Sequence, residues 1–191
     1  MLDKLINVIL QQAKFSNEEI ALCSQYFQPL VVAKNTIVAA AGKIPQYLYF
    51  VAEGFLRLYY VDENGDEQTS YFCQPDGFIA SFFAFIHQNK ATENIEAISN
   101  CQLLKISHSD LKKLIDSSEN FKQFSLRIFE QALQHSTVRA NDLATLNAEQ
   151  RYKKLLTTQP AWIQNIPIQH LASYLGIKPE SLSRIRRQII F

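Results

Sequence analysis

The segment from Ile166 to Phe191 holds two short helical patterns joined at a glycine. Its centre reads Leu171-Ala172-Ser173-Tyr174-Leu175-Gly176-Ile177-Lys178-Pro179-Glu180-Ser181-Leu182-Ser183-Arg184. Leu171 and Leu175 are four apart and share one face of a first helix. Gly176 permits the left-handed backbone that an abrupt stop needs. Pro179 suits the first turn of a second helix, where a missing N–H costs nothing. On that helix Leu182, Ile185 and Ile189 make an apolar stripe, while Glu180, Ser183, Arg184 and Arg187 fall at i, i+3, i+4 and i+7 on another face. One face can pack on a domain, and the other carries only groups that hydrogen-bond bases or phosphates. The pattern predicts a helix-turn-helix whose partner is double-stranded DNA.

The rest of the chain can build a core to carry such a motif. At 191 residues, with 47% hydrophobic and 19% charged, one large or two small folded domains are expected. The longest apolar runs, such as Ile37–Ala41 and Ser81–Ile86, are too short to span a bilayer. Met1-Leu2-Asp3-Lys4 does not open a secretory signal. The three cysteines, Cys23, Cys73 and Cys101, are odd in number and far apart. They suit free thiols in a reducing cytoplasm and have no metal-ligand spacing, so no metal site is expected, and the short apolar runs predict no membrane partner. The net charge of +1 conceals a polarity, because residues 146–191 carry +5 and the remainder −4. A basic C-terminal end on a near-neutral whole fits a sensor joined to a nucleic-acid reader.

Residues 2–13 and 17–27 predict two short helices, the second capped at Ser16 or Asn17 before Glu18-Glu19. From Pro29 to Ser107 the texture is that of short strands, at 30–40, 46–51, 55–61, 67–73, 92–98 and 101–106. Asn64-Gly65 marks a hairpin turn. Many short strands with regular turns predict a sandwich or barrel-like roll. Ser107 or Ser109 caps the next helix, and a long helix follows over 119–146. Its positions 126, 129, 133, 136, 140 and 143 alternate by three and four as in a coiled-coil seam, and Phe121, Phe124 and Ile128 form a second stripe. One stripe can cover the roll and the other a partner helix, so a homodimer is expected. Asn147 with Gln150 opens a helix over 148–157.

The order of roll, long helix and helix-turn-helix, with Leu175–Arg184, resembles the Crp/Fnr family of bacterial transcription regulators. Gly54 at a tight turn, Gly77-Phe78-Ile79 before a short apolar helix, and Ile95-Glu96-Ala97 add to the resemblance. It implies an α+β fold: an N-terminal β-roll of jelly-roll, cyclic-nucleotide-binding type at 1–118, a long dimerisation helix at 119–146, and a C-terminal helix-turn-helix domain of winged-helix-like type at 147–191. It also implies dimeric binding to a palindromic promoter site, and RNA polymerase as a further partner. Glu180, Ser183 and Arg184 match the family's base-reading set Glu-x-x-Ser-Arg. A carboxylate accepts from cytosine N4, and a guanidinium forks onto guanine O6 and N7. Pro179 stands where some members carry arginine, which favours a TTGA-like half-site. Gln169, Lys178, Ser181 and Arg187 are the candidate phosphate contacts.

Nucleotide-binding members carry Gly-Glu-Leu, a loop, and Arg-Ser-Ala. Aligned here, Ser81 stands in place of the glutamate and Ala91-Thr92-Glu93 in place of Arg-Ser-Ala. The resemblance places an effector pocket at Phe78, Ile79, Ser81, Phe82, Lys90, Ala91 and Thr92. Without the arginine, a buried phosphate lacks its counter-charge. Cyclic AMP is therefore not expected, and no cofactor is assigned. His87, His108, His135 and His170 are isolated, the N-terminal region holds one cysteine, and five scattered glycines make no phosphate loop. Haem, iron–sulfur and enzyme readings thus lack support. The competing reading is a cyclic-nucleotide or small-molecule module whose C-terminal helices bind protein rather than DNA.

Overall fold

A computed structural model describes residues 1–189, so Ile190 and Phe191 of the C-terminal motif lie outside the described residues. The chain opens with α1 (Leu2–Gln12) and α2 (Asn17–Tyr26). A full capping box starts α2: the Glu19 N–H donates to Ser16 Oγ and the Ser16 N–H donates to Glu19 Oε2. Eight strands follow: β1 (Gln28–Val32), β2 (Ile37–Ala39), β3 (Tyr47–Glu53), β4 (Leu56–Val61), β5 (Glu67–Cys73), β6 (Phe78–Ile79), β7 (Asn94–Ala97) and β8 (Cys101–Ser107). A short helix, α3 (Phe82–His87), sits between β6 and β7. The strands pair antiparallel in two four-stranded sheets, ordered β1-β8-β3-β6 and β2-β7-β4-β5.

The expected strand over 30–40 is two strands in different sheets. Asn35 breaks it with φ 66°, a conformation asparagine tolerates. Its N–H donates to Ala97 O, and the neighbouring Lys34 N–H donates to Asn100 Oδ1. The chain thus passes from one sheet to the other while its backbone groups stay bonded. At the same end of the roll, Gly54 has φ 88°, and a Cβ there would lie 2.4 Å from the Asn100 carbonyl oxygen. Only glycine fits that approach.

The strand β3 explains why its sequence reads as an unbroken apolar run. Tyr49 and Val51 point into the roll with Leu56, Leu58, Ile79, Ile95 and Leu103. Leu48, Phe50 and Ala52 point the other way, against Leu5, Ile9, Leu111 and Leu114 of the flanking helices. A strand buried on both faces cannot alternate in polarity.

Ser107 caps α4 (His108–Ser117), and Ser118 caps α5 (Glu119–Thr145). Phe121, Phe124 and Ile128 of α5 are buried against the roll and the N-terminal helices. Leu126 and Leu133 on the predicted seam are 49% and 69% exposed, whereas Phe129 rests edge-on against Phe82. No helix among the described residues is long and apolar enough to cross a membrane.

The remainder is helical: α6 (Ala148–Thr158), α7 (Pro160–Asn165), α8 (Ile168–Tyr174) and α9 (Pro179–Ile189). The Asn147–Gln150 capping box starts α6. Helix α7 falls in a stretch that periodicity left blank; Pro160 at its first position is the signal. These helices share a core with the roll. Tyr152, Leu155, Trp162, Leu171, Leu175 and Leu182 bury Phe72 of β5 and Ile98 among them.

Two histidines lie on the seam between the roll and the C-terminal helices. Burial first, and Arg139 second, hold the pKa of His135 down to about 4. Burial first, and then Arg57, bring His170 to about 4. Both are neutral in the fold and titrate near 6.5 once unfolded. Between those values the unfolded chain binds more protons. Their contribution to stability is complete above about pH 6.5 and is lost as pH falls toward about 4. The melting temperature is expected to fall across that window, and His135→Gln to make the fall shallower; an unchanged slope refutes the assignment. Separately, Gly54→Ala is expected to destabilise the chain by at least about 2 kcal/mol in urea unfolding.

Candidate nucleic-acid interface and the adjoining cavity

The turn between α8 and α9 follows from its residues. Gly176 has φ 67°, its N–H donates to Ser173 O, and the Ile177 N–H reaches back to Ala172 O. This paired closure satisfies the last carbonyls of α8. Leu171, Leu175, Leu182 and Ile185 point into the core. On the opposite side Glu180 and Arg184 are exposed and Ser183 is half-buried. Among the described residues, no ion pair or side-chain hydrogen bond engages the Glu180 carboxylate or the Arg184 guanidinium. Both are available to a partner on one helix face.

The candidate phosphate contacts are placed differently from one another. Arg187 is exposed, its Nε 3.4 Å from Ser183 O. Ser181 is half-buried in the first turn of α9. Lys178 pairs with Asp66 of the β4–β5 hairpin at 2.9 Å, and that bond raises its pKa. Gln169 lines the same crevice as Lys178, opposite Asp66 and Glu67. The ion pair is largely exposed, so exchanging Asp66 for a phosphate costs little.

This crevice marks where α8 is tied to β5, the last strand of its sheet. Ser173 Oγ donates to Glu67 O at 2.6 Å and accepts from the Thr69 N–H at 2.8 Å. Arg139 of α5 donates to Thr69 O at 2.8 Å and to Tyr174 O at 3.2 Å. An edge strand's unpaired backbone is thereby closed by side chains from the two helical segments. Neither Ser173 nor Arg139 bears a sequence signal for this role.

A cavity of about 530 Å³ lies beside that seam. Phe78 and Phe82 of the expected pocket are on its wall, with Tyr71 and Phe72 of β5, Phe124 and Ile128 of α5, and Trp162 of α7. Ile79, Ser81, Lys90, Ala91 and Thr92 are not on its wall. Ile79 belongs to the roll interior, Ala91 is buried with its N–H on Lys43 O, and Lys90 and Thr92 are exposed. Ser81 is buried and donates to Glu93 at 2.5 Å, and it is Glu93 that reaches the cavity. Trp162, the single tryptophan of the chain, is the residue that sequence reasoning missed, while Glu93 stood in the Ala91-Thr92-Glu93 segment but was not assigned to the pocket. All three cysteines are free and buried, and burial pushes each thiol up, so none is activated. No cluster of metal-ligating side chains occurs among the described residues.

Comparison with known proteins bears on both features. Residues 29–118 match the cyclic nucleotide-binding domain family. No curated protein sequence matches the chain. Among solved structures, FixK2 from Bradyrhizobium japonicum superposes with TM-score 0.76 at 17% identity, covering 85% of this chain and 84% of that one. The c-di-GMP-responsive global regulator CLP of Xanthomonas campestris gives TM-score 0.72 at 20% identity, covering 91% of each chain. The catabolite activator protein of Thermus thermophilus gives 0.60 at 21% identity, covering 96% of this chain and 86% of that one. The chain therefore has the fold of the Crp/Fnr transcription regulators, and its residues 29–118 belong to the cyclic nucleotide-binding domain family.

Proposed function

We propose that this chain is a sequence-specific DNA-binding transcription regulator that acts as a homodimer in the cytoplasm. The observation that carries the proposal is the outer face of α9, where Glu180, Ser183 and Arg184 stand together with the two charged groups exposed. A helix of this kind enters a major groove, reading base edges with that face. Gln169, Lys178, Ser181 and Arg187 then hold the phosphates, which sets position without specifying sequence. The +5 charge of residues 146–191 supplies the salt-dependent part of the affinity. The solved structures of like fold include named regulators.

The exposed Leu126 and Leu133 form an apolar strip along α5 that a second copy of the same helix covers. Two α9 helices related by a two-fold axis then address half-sites about 34 Å apart, which makes the target palindromic. RNA polymerase is the partner such a bound dimer would contact. The roll serves as sensor, with an effector shifting the dimer between arrangements of the two readers.

Cyclic AMP fits this roll poorly. The family's phosphate-neutralising arginine has no counterpart at Ala91, and the acid Glu93, bonded to Ser81, reaches the cavity instead. A phosphate beside that carboxylate is costly to desolvate.

In a mobility-shift titration against a selected palindromic duplex, Arg184→Ala is expected to cost about 1–3 kcal/mol and to relax the central G·C preference. Lys178→Ala should weaken binding to every duplex alike and shallow the salt slope by about 1. Wild-type affinity in Arg184→Ala sinks the base-reading assignment. Leu133→Glu should yield a monomer by sedimentation and abolish palindrome binding while leaving the circular dichroism spectrum intact.

A further inference from the structure

The cavity beside α5 has a chemistry of its own. Its walls are aromatic, with Phe78, Phe82, Phe124 and Trp162 among them. Two carboxylates, Glu93 and Asp76, are on its lining, against one cation, Arg127. Arg127 is already engaged, donating to the carbonyl and side-chain oxygens of Gln12 at 2.7 and 3.2 Å. His135 on the same wall is neutral, held so by its burial and by Arg139.

Two polar atoms of the lining lack partners. Trp162 is 2% exposed, and its Nε1 has no hydrogen bond among the described residues. Gln74 Oε1 is likewise buried and unpaired. An orphaned buried donor or acceptor is costly, but both atoms are shut off from the cavity surface, so an occupant meets ring faces and the carboxylates. The site therefore asks for an aromatic body and for a donor or positive charge on the acidic side. A charged donor on a carboxylate makes a hydrogen bond about twice as strong as a neutral one.

We propose that this cavity binds a small cationic aromatic molecule, its ring among Phe78, Phe82, Phe124 and Trp162 and its charged donor on Glu93. The position gives binding a consequence. Trp162 belongs to α7, and its ring meets Phe72 of the roll at 5.1 Å and Tyr174 of α8 at 5.3 Å. An occupant thus touches the roll, α5 and the C-terminal helices at once. It stabilises the arrangement in which they are docked. Only that last step rests on the regulator reading above; ligand binding itself does not.

Three probes of one skeleton separate the charge from the ring: tyramine, tyrosol and 4-hydroxyphenylacetate, carrying +1, 0 and −1, with cyclic AMP as the fourth. Binding to the full chain is read by calorimetry, and by Trp162 emission, which is unambiguous because no other tryptophan exists. Tyramine is expected to bind most tightly and to shift Trp162 emission, tyrosol more weakly, and the two anions least. Glu93→Gln, nearly isosteric and on a partly exposed residue, should bring tyramine down to the level of tyrosol without lowering the melting temperature of the free protein. Trp162→Phe should weaken tyramine and tyrosol equally. Tighter binding of 4-hydroxyphenylacetate or cyclic AMP overturns the proposal, as does silence from all four probes, or a Glu93→Gln protein that still prefers tyramine over tyrosol. A parallel DNA titration keeps the outcomes separate. DNA binding without tyramine binding refutes the ligand class alone, and tyramine binding without DNA binding refutes the regulator reading alone.

Discussion

Phe72 and its neighbours on β5 join the roll to the C-terminal helices. Successive residues of a strand point to opposite faces, so Cys73 enters the roll interior while Phe72 enters the core of the C-terminal helices. Around Phe72 stand Trp162 and Tyr174, with ring centroids at 5.1 and 5.5 Å. The backbone of the same strand is bonded at its free edge by Ser173 and Arg139. One strand thus spends both faces and its edge on other parts of the molecule. The position of the C-terminal helices, the far wall of the cavity and the burial of His135 all follow from that arrangement.

The charges are distributed to match. The β4–β5 hairpin is acidic and the C-terminal segment basic, and Lys178 meets Asp66 where they touch. Deeper on the outer face of the same sheet, Arg57 is 3% exposed, bonded to Glu96 and Glu67 and stacked on Tyr59 at 4.0 Å. A buried guanidinium needs such company, because without these acids its charge would be uncompensated. The contrast between the two pairs has a use. The buried network holds the sheet in place, whereas the exposed Lys178–Asp66 pair can exchange for phosphate at small cost.

Local chemistry made much of this legible in the residues. The capping boxes at Ser16 and Asn147, the Gly176 stop, the Pro179 start and the Leu182–Ile185 stripe each act within one or two turns, and each is where its pattern placed it. The chain's passage between sheets at Asn35 was not legible, because it depends on Ala97 and Asn100, some sixty residues away. Helix α7 escaped notice because six residues are too few to show a period. One residue of the seam on α5, Phe129, turned inward, since an apolar stripe does not say which neighbour will cover it.

The amino-acid sequence by itself determined the capped helix starts, the Gly176 stop, the Pro179 start and the apolar stripe of α9. These are local properties of composition, spacing and backbone preference. Tertiary structure alone decided that Glu93 rather than Ser81 reaches the cavity, that Trp162 closes it, and that Ser173 and Arg139 complete the edge of β5. Those contacts join residues some 12 to more than 100 positions apart. Which of them form is set by how two sheets and three helices pack, a global constraint that no window of sequence contains.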